Sequence, residues 1–181
     1  HYRPIELKDL TKDLNTFETD LLKYELYENS ITVLKNEDHI LPIKEIEKEK
    51  IAYIKIGEDT NDSFVNSLQN YTQVDVLQEP NLDTLKLKLK DYTKVIIGYH
   101  KSDSHAWRNH DLKDSEIKLI TEVANQNEVI LDFFVKPYAM ASIKNFNKIK
   151  AIIEYTRHKS ENSPSKYLLC FIFIIGIQRL L

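Results

Sequence analysis

Cysteine, glycine and unbalanced charge are what this sequence has least of. A single cysteine, Cys170, excludes an intrachain disulfide and leaves the redox compartment unread, so a periplasmic and a cytoplasmic home both stay open. Only three glycines occur, Gly57, Gly98 and Gly176, and the turn after the first apolar stretch reads GEDTND. A dinucleotide-binding turn would carry GxGxxG there, so no nicotinamide or flavin cofactor is expected. The formal net charge of -3 leaves no basic face for nucleic acid. Serines 30, 63 and 102 lack the glycines of a nucleophile elbow, and no Cys or carboxylate signature surrounds a histidine pair, so neither a serine hydrolase nor a metal site is expected.

What is present is a globular chain of 181 residues, 42% hydrophobic and 29% charged, long enough for one domain with flanking segments. It begins at His1 with no basic or apolar leader, which reads as an internal cut. From Asp13 to Lys35 apolar residues return at helical spacing, predicting one long amphipathic helix with a single broad face. Ile40 to Ile43 around Pro42 reads as extended. Strands are expected at Ile51–Ile56, Val74–Leu77, Val95–Tyr99, Val129–Phe134 and Ile149–Tyr155. Helices are expected between them at Phe64–Tyr71, Leu82–Leu89, Lys113–Asn125 and from Pro137 towards Phe146. This alternation predicts an α/β fold: a three-layer α/β/α sandwich on a mostly parallel, doubly wound sheet of about five strands. The expected division is residues 1–45 as helix and linker, 46–156 as the sandwich, and 157–181 as an atypical tail. In that tail the polar HKSENSPS gives way to YLLCFIFIIGI. The apolar run, at about 11 residues against the roughly 20 a bilayer needs, reads as a buried element or a truncated or frame-altered terminus rather than a membrane anchor.

The segment YENSITVLKNEDHILPIK, Tyr27 to Lys44, resembles the stretch that opens the second domain of glycoside hydrolase family 3 enzymes, with Ser30, Leu34, Lys35, Asn36, Leu41 and Pro42 in the matching places. KIAYIKIG, VIIGYHK and EVILDFFVKPYAM are similar to that domain's first, third and fourth strands, although Glu58 stands where the family usually has proline. The resemblance spans about Leu21 to Tyr155. It implies a bacterial enzyme that hydrolyses terminal β-linked sugars with retention, in which an N-terminal barrel domain, absent from this chain, carries the nucleophilic Asp. No catalytic residue is then expected here, and residues 13–35 would fasten the domain onto the barrel. Some members take the acid/base Glu from the loop after the third strand. Here that loop, His100 to Asp111, reads HKSDSHAWRNHD and holds no Glu, which points to the β-N-acetylglucosaminidase type over the β-glucosidase type.

That loop is still the densest polar and aromatic stretch in the chain. It would lie beyond the carboxyl ends of the strands, where open parallel sheets take ligands. His100, Asp103, His105, Trp107 and Arg108 are the substrate-pocket candidates, with Trp107 suited to stack on a sugar ring, against a plainer reading as a solvated loop anchored by one tryptophan. Asp132, in the apolar VILDFF, marks either a site or, by the favoured reading, a carboxylate that caps backbone or faces the sheet end. A free flavodoxin-like binding or signalling domain, with Glu58 and Asp59 at a strand end, is the alternative function, and a pure interaction module a further one.

Overall fold

The structure is a computed structural model, and it describes residues 8–57, 62–101, 111–135 and 137–155. The chain enters through two helices, α1 (Leu10–Leu14) and α2 (Phe17–Ser30). Strand β1 (Thr32–Asn36) follows, and after two single 3-10 turns comes β2 (Ile51–Ile56). Then α3 (Asp62–Gln69), β3 (Val74–Leu77), α4 (Leu82–Leu89), β4 (Lys94–Tyr99), α5 (Asp114–Ala124) and β5 (Glu128–Phe133) alternate. A 3-10 stretch over Pro137–Ser142 precedes β6 (Ala151–Glu154). The six strands lie in the order β1-β6-β5-β4-β2-β3, every pair parallel except β1 with β6. The α/β sandwich is therefore as the alternation predicts, with one strand more than the expected five.

That extra strand replaces the end of the expected helix. Residues 31–35 leave the helix, and Thr32–Asn36 pairs antiparallel with β6, Thr32 opposite Glu154 and Asn36 opposite Ala151. Ile31, Thr32 and Val33 are β-branched, which restricts their rotamers in a helix and suits a pleated surface, and β1 covers an edge that β6 would otherwise leave open. The remaining helical span is also broken: α1 ends at Asn15, and α2 starts afresh at Thr16, whose hydroxyl accepts from the Thr19 N–H at 3.2 Å.

Both sheet faces are covered, as the unalternating apolar strands require. On one face Ala52, Ile54, Ile97, Leu131 and Phe133 pack with Leu85 and Leu89 of α4 and Ile120 and Val123 of α5. On the other Ile51, Tyr53, Ile96, Ile130 and Ile153 pack with Phe64, Val65 and Leu68 of α3 and with Leu41 and Ile43 of the linker. The linker is pinned by Asn36, whose amide nitrogen donates to the Leu41 carbonyl at 2.9 Å while its oxygen accepts from the Leu41 N–H at 3.0 Å. The Leu41–Pro42 bond is cis.

Among the described side chains, neither core receives a residue from α1 or α2. Leu14, Phe17, Leu21, Leu22 and Leu26 are exposed, Phe17 at 72% and Leu26 at 61%. At about 100° per residue Phe17 and Leu21 fall on one side of α2 and Leu22 and Leu26 towards the opposite side. The expected single broad face is therefore two stripes, and a helix apolar on both sides calls for covering on both sides.

Candidate functional site

The chain passes from β2 outward to β3 and then back across β2 to β4, so the sheet reverses direction between β2 and β4. A doubly wound sheet opens its ligand crevice beyond the carboxyl ends of such a pair. Here the two ends touch. The His100 N–H donates to the Ile56 carbonyl at 2.7 Å. Gly57 holds φ +99°, and a Cβ on it would lie 1.9 Å from the His100 carbonyl oxygen. Only glycine allows both the left-handed backbone and this approach.

His100, the first of the pocket candidates, turns inward. It is 6% exposed, with Nε2 2.7 Å from the Tyr53 hydroxyl and its ring stacked on Phe134 at 4.2 Å between centroids. Gly98 makes room for the Tyr53–His100 contact, since a Cβ there would sit 2.0 Å from the Tyr53 oxygen and 2.7 Å from Nε2. Lys101 is also buried. Its ammonium donates to the Asp111 carbonyl at 2.8 Å, lies 3.4 Å from Glu116 Oε2 and sits over the Tyr99 ring. Lys101 thereby ties together the two ends of the stretch between residues 101 and 111. Asp103, His105, Trp107 and Arg108 lie outside the described residues.

Asp132 is fully buried as the penultimate residue of β5, level with Gly98 on one side and Ile153 on the other. It does not cap backbone as the sequence suggests: neither carboxyl oxygen has a hydrogen bond of good geometry among the described residues. Burial pushes its pKa well above the usual carboxylate value, and the nearby Tyr155 hydroxyl offsets part of that rise. Phe134 stacks in parallel on Tyr155 at 4.5 Å, and Phe64 of α3 sits amid Tyr53, His100, Phe134 and Tyr155 with centroids 5.0 to 6.4 Å away. Sequence reading missed this cluster. The signal was the alternation Ile96-Gly98-His100, Ile130-Asp132-Phe134 and Ala151-Ile153-Tyr155, which puts these residues on one sheet face once the register is known.

On the opposite face a cleft of about 480 Å³ opens between the end of β2 at Lys55, Glu79 and Pro80, and the first turns of α5 at Ser115 and Glu116. Its two carboxylates are engaged structurally: Glu79 pairs with Lys88 at 2.8 Å and Glu116 accepts from the Lys113 N–H at 2.7 Å. Among the described residues no group of three His, Cys, Asp or Glu side chains could hold a metal ion, and no helix is long and apolar enough to cross a membrane.

No family model and no curated protein matches the sequence. Solved structures do. The chain is similar to a β-glucosidase from Listeria innocua in complex with isofagomine, at TM-score 0.68 and 16% identity over 97% of this chain and 28% of that one. It is similar to a fungal multi-domain GH3 β-N-acetylglucosaminidase at TM-score 0.63 and 18% identity, over 95% of this chain and 19% of that one. A β-glucosidase from Chaetomella raphigera aligns at TM-score 0.61 and 14% identity, over 89% and 28%. The chain thus spans under a third of the length of these proteins, and at such identities the likeness is one of fold. It resembles in fold a part of larger glycosidases.

Proposed function

We propose that this chain is the second domain of a retaining β-glycosidase of the glycoside hydrolase family 3 kind, which cleaves terminal O-glycosidic bonds of the β-N-acetylglucosaminide or β-glucoside type. Catalysis resides in a barrel domain of the same parent polypeptide, and this domain supplies structural support and one wall of the sugar pocket. The carrying observation is topological: a five-stranded parallel sheet edged by an antiparallel strand matches glycosidases over nearly all of this chain and under a third of theirs. Two features support the reading. Helix α2 is apolar on two sides and none of its described side chains joins either core, as in a helix seated against another domain. Asp132 is fully buried near the end of β5 and so cannot serve as the solvent-reachable acceptor carboxylate that the signalling alternative needs, while Glu58 and Asp59 lie outside the described residues.

Within the pocket wall, His100 anchors the stretch from inside while Asp103, His105, Trp107 and Arg108 carry its contacts to sugar hydroxyls and ring faces. A retaining enzyme passes through a covalent glycosyl intermediate. A slowly released fluoro-glycoside, reacted with the parent polypeptide and mapped by mass spectrometry, should label a carboxylate outside these 181 residues. A label on any residue of this chain would overturn the assignment.

A further inference from the structure

Asp132 is a buried ionisable group that the proposed function leaves unused, and its surroundings give it a role that does not depend on any enzymatic reading. Among the described residues, few groups lie near this carboxyl. From the residue after β6 comes the Tyr155 hydroxyl. From β4 and the residue after it come Gly98, with no side chain, and His100, which is bound to Tyr53 of β2. Lys55 of β2 stands in the same row but two strands away, beyond Gly98. The described buried side chains of α3 are Phe64, Val65 and Leu68, all apolar. Burial raises the pKa of the carboxyl and the Tyr155 hydroxyl offsets part of that rise, and among the described residues no cation compensates it.

An ionised carboxylate enclosed without a cation is strongly disfavoured, whereas a neutral carboxyl with one hydroxyl neighbour is tolerated. The same corner carries the stacked run His100–Phe134–Tyr155, and its backbone ties are the Phe134 N–H to the Tyr99 carbonyl at 3.0 Å and the Tyr155 N–H to the Phe133 carbonyl at 2.9 Å. We infer that Asp132 is a proton-dependent latch, which with its carboxyl protonated lets the carboxyl ends of β4, β5 and β6 stay closed and with the carboxyl ionised lets that corner open. Because His100 begins the stretch that bears the pocket candidates, opening would also release its anchor.

The sign follows from proton counting. Above the unfolded Asp value of about 3.9 the closed form holds one proton more than the open form, so opening rises about tenfold per pH unit until the closed form itself ionises. The test compares chymotryptic cleavage of the 181-residue chain with that of Asp132→Asn at each pH, which cancels the protease's own pH profile. When opening and closing are fast, cleavage at Phe133, Phe134 and Tyr155 reports the open population. The wild-type to variant ratio should climb about tenfold per pH unit across the neutral range at these sites and stay flat at Tyr92, at the other end of the sheet. A ratio flat everywhere, or one rising equally at Tyr92, overturns the latch. A second readout needs no variant to fold: the wild-type chain should show the infrared carbonyl stretch of a protonated carboxyl at neutral pH. Absence of that band at neutral pH overturns the inference as well.

Discussion

Asn36 closes on Leu41 with both ends of its side-chain amide, at 2.9 and 3.0 Å, and so converts the last residue of β1 into the clamp that shapes the Leu-Pro connector. The sequence carries this as LKN followed by LP, and the reason for the spacing is geometric. A short polar turn over Glu37–His39 brings the Leu41 backbone back to the amide, and Leu41 and Ile43 then enter the core under α3. Asn36→Ala removes both bonds and leaves a partly buried peptide group unmatched, which should destabilise the domain by about 1 to 3 kcal/mol in urea unfolding. A loss within error would mean the clamp is ornamental.

Gly98 is required by its neighbours and not by its own backbone angles. Gly98→Ala drives a methyl group against the Tyr53 hydroxyl and His100 Nε2 and should cost about 1 to 3 kcal/mol through overpacking. Tyr53→Phe creates no clash but deprives buried His100 of its 2.7 Å partner, with an expected loss of about 1 to 3 kcal/mol. In the double variant Gly98→Ala, Tyr53→Phe the losses should fall short of their sum, because the phenylalanine relieves part of the clash. Full additivity by denaturant unfolding would contradict this account of the contact.

Lys101 should act as a staple at the base of the residue 101–111 stretch. Lys101→Met keeps the packing volume over Tyr99 but drops the donor to the Asp111 carbonyl, and about 1 to 3 kcal/mol should be lost. The informative comparison is Lys101→Arg: a bulkier fork in a site closed to solvent should also destabilise, where a surface ion pair would tolerate the exchange.

Much of the fold was legible because local signals agreed with the global one. Val74–Leu77 and Leu82–Leu89 form as the sequence indicates, the latter with Asn81 accepting from the Asp83 and Thr84 N–H groups as its cap. Residues 31–35 were misread because Ile31 and Leu34 continue a helical spacing, while the strand that claims them, β6, lies at the far end of the sequence. The polar loop was visible as composition. The Tyr53–His100 bond and the enclosure of Asp132 between Gly98 and Ile153 were not, since each depends on a strand register that no local pattern specifies.

Helix α2 tests the docking idea without any partner in hand. Replacing Phe17, Leu21, Leu22 and Leu26 with Ser or Gln should leave the melting of the sheet nearly unchanged, within about 0.5 kcal/mol per site, because none belongs to either core. The wild-type chain should self-associate in sedimentation and the substituted chain should not. A monomeric wild-type chain would remove the case for a covering partner.

The described core residues run from Leu41 to Tyr155, so a chain cut after Thr156 should keep its cooperative unfolding. If the cut instead costs several kcal/mol, as loss of a buried element does, residues 157–181 belong to the core and not to an atypical tail.

The central claim is that this chain is one domain of a glycosidase and does not itself carry the chemistry. The most direct measurement is steady-state hydrolysis of aryl β-N-acetylglucosaminide and aryl β-glucoside by the purified 181-residue chain alone and joined to the polypeptide encoded immediately upstream. The account requires no turnover from the chain alone and turnover from the joined protein on at least one of the two substrates. Hydrolysis by the isolated chain that scales with its concentration and is lost on substituting a residue of 100–111, or an upstream polypeptide that brings no glycosidase activity, would contradict it.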